Sequence, residues 1–235
     1  TMAGTTATFE GHGLTPAVTR AYGDVHAAGD LTLRMHTPLS VPSSAFGDAR
    51  LEDLFYQYAG VAAGRGAGDD RLRVEGITLG GTADTRVAGI IAAGYPYEPW
   101  AGHFYQAMDQ ARFVRLGIAA ARVGLRVSCI VSRDLEHAIS AYEAIDREVP
   151  IRDRRWVVIH VNQATPATQS GHRLTWNEDR RGSIEVGKDA DLVVLEDNPL
   201  TYAEDRIKDL VVDVTIVGGE IVHERGYRLQ SPPAR

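Results

Sequence analysis

Histidine is the side chain best suited to chemistry in this sequence, because imidazole exchanges protons near neutral pH and also binds metal ions. His12, His36 and His160 each lie at the end of a predicted β-strand, and His103 lies in an aromatic loop close to Trp100. In α/β proteins, active sites collect at the carboxyl ends of the strands. These four histidines are therefore the candidate site residues.

Each candidate also has a purely structural interpretation. For His12 and His36 it is an ordinary loop position, and for His103 it is an aromatic loop that packs on the fold; these are the default interpretations. The single cysteine, Cys129, has apolar neighbours, which favour a buried, inert thiol over a nucleophile or a metal ligand. The chain contains no His-x-His pair, and one histidine does not make a metal site, which needs three or four ligands.

The elements that must position these histidines alternate strand and helix about five times over the first 165 residues. Thr15 and Pro16 form a helix start of the N-cap and first-turn type. The strands are almost continuously apolar, as buried parallel strands are. This pattern predicts an α/β fold, either a barrel or an open doubly wound sheet. We predict strands at residues 5–9, 31–36 (stopped by Pro38), 72–79, 125–131 and 156–161. Among the predicted helices, a short one ends at Ala93, a long one runs from about His103 to Val123, and a third spans residues 135–145.

The C-terminal part follows a different pattern, with three short strands between residues 182 and 224. The run Leu192–Leu195 is apolar, and residues 214–217 and 221–223 flank Gly218 and Gly219, a two-residue hairpin signal. A unit this small cannot bury a core alone. We therefore expect it to pack against a larger domain, and we divide the chain into residues 1–181 and 182–235.

Composition excludes several classes of function. The formal net charge is −6, so the chain has no overall basic surface for nucleic acid. One cysteine rules out an intrachain disulfide and suits a reducing compartment. The sequence has no apolar run of membrane-spanning length and no visible signal peptide. We expect a cytoplasmic protein that binds neither nucleic acid nor membranes.

Several stretches carry a family resemblance. Residues 182–195, GSIEVGKDADLVVL, and 214–224, VTIVGGEIVHE, closely resemble the C-terminal signature of the amidohydrolase superfamily. The resemblance is greatest to the branch of D-aminoacylases and N-substituted formamide deformylases. Residues 72–84, LRVEGITLGGTAD, look like the fourth strand of the family's barrel, and residues 124–145 and 152–168 look like its fifth and sixth strand–helix units.

The resemblance implies a (β/α)8 barrel beside a small β-sandwich, of which this chain holds a part. After residue 168 the family continues for well over a hundred residues, whereas here Gln169 leads into a stretch similar to the end of the last barrel helix. We infer an internal deletion near residues 167–169 and the loss of the family's first strand. The expected fold is a partial TIM-like (β/α) barrel of about five parallel strands with a C-terminal remnant of the β-sandwich.

The resemblance also implies a hydrolase that cleaves non-peptide C–N bonds in an amide, a formamide or an N-acyl amino acid, using water activated by a divalent metal, zinc in the parent family. Of the family's ligand positions only His160 keeps a ligand type, because Thr78 and Ile130 stand where a lysine and a histidine are expected. We therefore predict His160 as a metal ligand, and His12, His36 and His103 as contacts to a small amide-type substrate.

The alternative is a catalytically inactive remnant without metal that acts, if at all, as a binding or assembly module. Five strands cannot close an eight-stranded barrel, and open sheet edges favour a homo-oligomer.

Overall fold

The computed structural model describes residues 4–83, 107–130, 135–159, 179–203, 206 and 209–226. Its larger sheet contains five parallel strands, each hydrogen-bonded to the next of the five in chain order. They are β1 (Ala7–Phe9), β2 (Arg34–Ser40), β4 (Leu72–Ala83), β6 (Val127–Ile130) and β7 (Val157–Ile159); two short strands, β3 (Ala67–Gly68) and β5 (Ala107–Asp109), pair with β4. This consecutive order is that of a half-barrel, so the predicted partial TIM-like fold is confirmed for the described residues.

Within the described residues, four α-helices connect these strands: α1 (Pro16–Ala27), α2 (Asp48–Ala62), α3 (Gln110–Arg122) and α4 (Leu135–Glu148). The core lies between the sheet and helices α2, α3 and α4. Phe55, Phe113 and Ile145 are fully buried there against Ile77 and Val127 of the sheet. No residue of α1 is buried, so this helix covers the sheet less tightly than the other three.

The helix starts follow from capping side chains. Thr15 Oγ1 accepts a hydrogen bond from the Val18 amide at 3.4 Å, which confirms the predicted start of α1. The third helix was predicted to begin near His103, which lies outside the described residues. Within them that helix begins only at Gln110, because Asp109 caps it by accepting from the Arg112 amide at 2.9 Å, and Ala107–Asp109 is a strand. The predicted helix ending at Ala93 also lies outside the described residues.

The second strand does not stop at Pro38, as predicted, but continues to Ser40. Proline cannot donate a ladder hydrogen bond and is tolerated in a sheet at a bulge. The register shifts here, since Thr37 pairs with Val74 but Leu39 with Ile77, which leaves one extra residue in β4. Gly76 lies within this bulge with a φ of 73°, a conformation that glycine adopts without strain.

The C-terminal sheet confirms the three predicted strands as β8 (Leu192–Leu195), β9 (Val212–Val217) and β10 (Glu220–Glu224), antiparallel in the order β10-β9-β8. It is tied to the larger sheet by Arg34, whose Nε and Nη2 donate to the two carboxylate oxygens of Asp191 at 2.7 and 3.1 Å. The division of the chain at residue 181 stays a prediction. None of the helices described here is long and apolar enough to cross a membrane.

We predict that Gly76→Ala destabilises the fold far more than Gly29→Ala. Both glycines have a positive φ, but a Cβ on Gly76 would lie 2.6 Å from the Arg126 carbonyl oxygen, whereas none of the described atoms lies within 4 Å of one on Gly29. Backbone strain alone costs about 1–2 kcal/mol, and the clash adds a comparable amount. Denaturant unfolding should give losses of about 1 kcal/mol for Gly29→Ala and roughly 3 kcal/mol for Gly76→Ala. Equal losses would show that the bulge relaxes.

Candidate functional site

The inner face of the parallel sheet is polar, although it is buried. Side chains alternate between the two faces of a strand. On β4 and β6 the side chains that point into the helix-covered core are Ile77, Leu79, Val127 and Cys129. The residues between or beside them are polar and have low exposure: His36, Ser40, Glu75, Thr78, Arg126 and Ser128. In a barrel this face lines the interior, so any site built on this sheet has these side chains beneath it.

A buried ionic cluster lies on the inner face. Glu75 Oε1 is 3.2 Å from His36 Nδ1 and accepts a hydrogen bond from Arg126 Nη2 at 2.7 Å. Burial lowers the pKa of Arg126, and the adjacent Glu75 carboxylate opposes that shift. The Arg126 guanidinium also lies 5.1 Å from the centre of the Phe9 ring. Within the described part of the chain, Glu75 Oε2 is buried and has no hydrogen-bond partner.

His36 belongs to this cluster. It is the third residue of β2, paired with Phe9 of β1 and Arg73 of β4, and it is 5 % exposed. Its predicted position at a strand end is wrong, because β2 passes through Pro38 and carries the strand end four residues further. The predicted substrate contact through His36 stays a prediction.

The second predicted histidine, His12, lies in a turn at the carboxyl end of β1. Glu10 closes this turn, since its carboxylate accepts from the amides of His12 at 3.3 Å and Gly13 at 2.6 Å. Glu10 Oε1 also lies 3.4 Å from His12 Nδ1. Burial would raise the pKa of Glu10, but the hydrogen bonds and the charge of His12 outweigh burial and hold it below its usual value.

This turn, residues 10–13, contacts the middle of β4 and the carboxyl ends of β2 and β7. Thr78 Oγ1 of β4 donates to the Gly11 carbonyl at 3.0 Å. A Cβ on Gly13 would lie 3.0 Å from the Ser40 backbone, and one on Gly11 would lie 2.9 Å from Ile159 Cδ1 at the end of β7. The structure therefore brings His12 to the edge of the sheet where α/β proteins carry their active sites. His160, which follows Ile159 in the sequence, and His103 lie outside the described residues.

The residues at the other family ligand positions do not replace the ligands. Thr78 is engaged with Gly11, and Ile130 is a buried aliphatic side chain. Cys129 points into the core, which confirms the predicted burial, and burial raises the pKa of its thiol to about 12.

The residues that the structure describes do not fit the divalent metal implied by the resemblance. No three His, Cys, Asp or Glu side chains among them are grouped to hold a metal ion. Glu75 and His36 are adjacent, but the Arg126 guanidinium already occupies the carboxylate, and a second cation there would meet its charge.

Glu75 and Arg126 were missed in the sequence. The available signal was a charged residue within an otherwise apolar strand pattern, in LRVEGI and LRVSCI. Charged side chains are almost never fully buried unless they are paired, so two such strands predict a buried pair.

We predict that Glu75 and Arg126 are strongly coupled. Glu75→Gln and Arg126→Met each leave an uncompensated buried partner and should cost about 3 kcal/mol in the free energy of unfolding. The double variant removes both charges and should cost less than the sum of the two losses. Arg152→Met, which breaks an exposed ion pair with Asp146, is the control and should leave stability almost unchanged. Additive losses in the cycle would contradict the coupling.

We predict a second effect at Glu10, in the pH dependence of stability. Its pKa is lower in the folded chain than its ordinary value, so its stabilising effect is present above the ordinary glutamate range and is lost as pH falls through the folded-state pKa. Glu10→Gln should lower the free energy of unfolding at pH 7 and flatten its decline below about pH 5. Glu52→Gln, on an exposed position of α2, is the control. Parallel pH curves for Glu10→Gln and the parent chain would contradict the assignment.

Comparison with known proteins gives one match. Residues 164–223 match the model of the family described as "Amidohydrolase family". No curated protein and no solved structure matches the chain. The matched segment includes both C-terminal stretches, 182–195 and most of 214–224, on which the resemblance was first based. The match supports the amidohydrolase superfamily, while the D-aminoacylase and deformylase branch, the internal deletion and the missing first strand stay predictions.

Proposed function

We propose that this chain is a hydrolase of the amidohydrolase superfamily that cleaves a non-peptide C–N bond in an amide, a formamide or an N-acyl amino acid. The family match over residues 164–223 is the observation that carries this proposal. The consecutive order of the five parallel strands agrees with it, because the superfamily is built on a (β/α) barrel. Neither observation identifies the substrate, so the bond type rests on the resemblance in the C-terminal signature.

The turn of residues 10–13 is the proposed place of reaction. His12 is the proposed acid–base group, since the Glu10 carboxylate beside Nδ1 can orient the imidazole and stabilise its charged form. In hydrolysis the imidazole takes a proton from water as the water oxygen bonds to the carbonyl carbon. It returns that proton to nitrogen as the C–N bond breaks, which yields a carboxylic acid and an amine.

The remaining candidates complete the proposal. His36 and His103 are proposed substrate contacts, and His160 is the proposed ligand of a divalent metal such as zinc. Because the described residues supply no such site, any further ligands have to come from the other parts of the chain. In the described sheet β1 and β7 are each paired on one side only, and we propose that a homo-oligomer forms through these edges.

We predict that the chain releases amine from at least one member of a panel of N-acyl amino acids, formamides and simple amides. His12→Ala should lower kcat/KM about 100-fold or more and remove the acidic limb of its pH profile, because the acid–base group is lost. His223→Ala, in β10 of the C-terminal sheet, is the matched control and should retain activity. Full activity in His12→Ala would contradict the role of His12.

Metal content is measured separately, by elemental analysis of chain purified without chelator. Near-stoichiometric zinc that is lost in His160→Ala and kept in His223→Ala would support the metal ligand. Background metal in the parent chain together with amine release would leave the hydrolase proposal standing without the metal. Background metal and no release from any substrate would overturn the proposal in favour of an inactive module.

A further inference from the structure

A cleft of about 680 Å³ lies between α1 and α2 on the helix side of the parallel sheet. Thr19 and Arg20 of α1 line it on one side and Tyr58 and Val61 of α2 on the other, and strand residues such as Leu39 complete it. Its volume is within the range of about 300–1,000 Å³ found for small-molecule sites. The cleft is on the opposite face of the sheet from the buried ionic cluster, so it is separate from the proposed place of reaction.

The cleft exists because α1 does not close onto the sheet. None of its residues is buried, Val18 and Tyr22 are half-buried, and Val25 is 42 % exposed. By contrast, α2 buries Leu51 and Phe55 completely. The apolar side of α1 and the apolar strand residues opposite it are therefore left as walls, and burying them under an apolar ligand is favourable.

The polar groups that α1 contributes to the cleft differ in whether they have a partner. Arg20, in the second turn, is exposed and has no hydrogen-bond or ion-pair partner among the described residues. His26, in the last turn, has a partner, since its Nε2 lies 3.0 Å from Asp69 Oδ2. Asp69 also accepts from the amides of Arg71 and Leu72 at 2.8 and 3.0 Å. One part of the cleft thus presents the cation of Arg20. The other part, about 9 Å further along the helix, presents His26 already paired with Asp69.

We propose that this cleft binds an amphipathic carboxylate, with an unbranched acyl chain along α1 and its carboxylate against Arg20. The apolar walls reject sugars and nucleotides, whose polar groups would lose their hydrogen bonds to water without replacement. Arg20 selects a negative head group, because guanidinium pairs well with carboxylate. The distance from Arg20 to His26 accommodates a chain of about eight carbons.

The test is calorimetric titration of the full chain with octanoate, and with octanol and octyltrimethylammonium as matched neutral and cationic amphiphiles. Octanoate should bind about three- to tenfold more tightly than octanol, and the cation more weakly than either. Affinity should rise about fourfold per methylene from hexanoate to octanoate. No binding of octanoate, or equal affinity for octanoate and octanol, would overturn the proposal.

Two variants locate the binding site. Arg20→Gln should reduce octanoate affinity to that of octanol and leave octanol binding unchanged, whereas Arg122→Gln, an exposed arginine on α3, should change neither. Val61→Trp should fill the cleft and abolish binding of both amphiphiles without unfolding the chain, because Val61 is 48 % exposed. Circular dichroism checks the fold of each variant. Parent-like octanoate binding in both Arg20→Gln and Val61→Trp would place the site elsewhere and overturn the proposal.

Discussion

The Glu75 carboxylate is the buried charge on which the inner face of this sheet depends. It contacts His36 of β2 and Arg126, the residue before β6, and it belongs itself to β4, so one side chain connects three neighbouring strands. A buried carboxylate is tolerated only when it is paired and hydrogen-bonded, and one of its oxygens remains without a partner among the described residues. The cluster therefore constrains which side chains this face can carry.

The bulge in β4 is part of the same arrangement. The extra residue at Gly76 directly follows Glu75, and Pro38 of β2 lies opposite this irregularity, where no ladder donor is needed. Two residues beyond Gly76, Thr78 of β4 donates a hydrogen bond to the turn that carries His12. The irregular backbone and the buried charge thus lie directly below the candidate site.

The two faces of the sheet have different consequences for function. The inner face ends at the turn of Glu10 and His12, whose side chains form a polar pair that is only partly buried. The outer face is sealed by α2, α3 and α4 but not by α1, which leaves an apolar cleft. At the amino end of the sheet, Arg34 shares the face of His36 and pairs with Asp191, so the C-terminal sheet is held at the end opposite to the candidate site.

The sequence by itself determined the five parallel strands of the larger sheet, the start of α1 and the three C-terminal strands, but not the short strands β3 and β5. Apolar runs predicted the parallel strands, Thr15 and Pro16 the start of α1, and Gly218 and Gly219 the C-terminal hairpin, because these signals act over a few residues. The sequence also predicted that Cys129 is buried, since its neighbours are apolar. Only the tertiary structure decided that β2 continues past Pro38, that His36 lies in a buried cluster, and that α1 stays partly open. These features depend on side chains far apart in the chain, as Glu75 and Arg126 are, and a local pattern contains no information about which distant residue will face them.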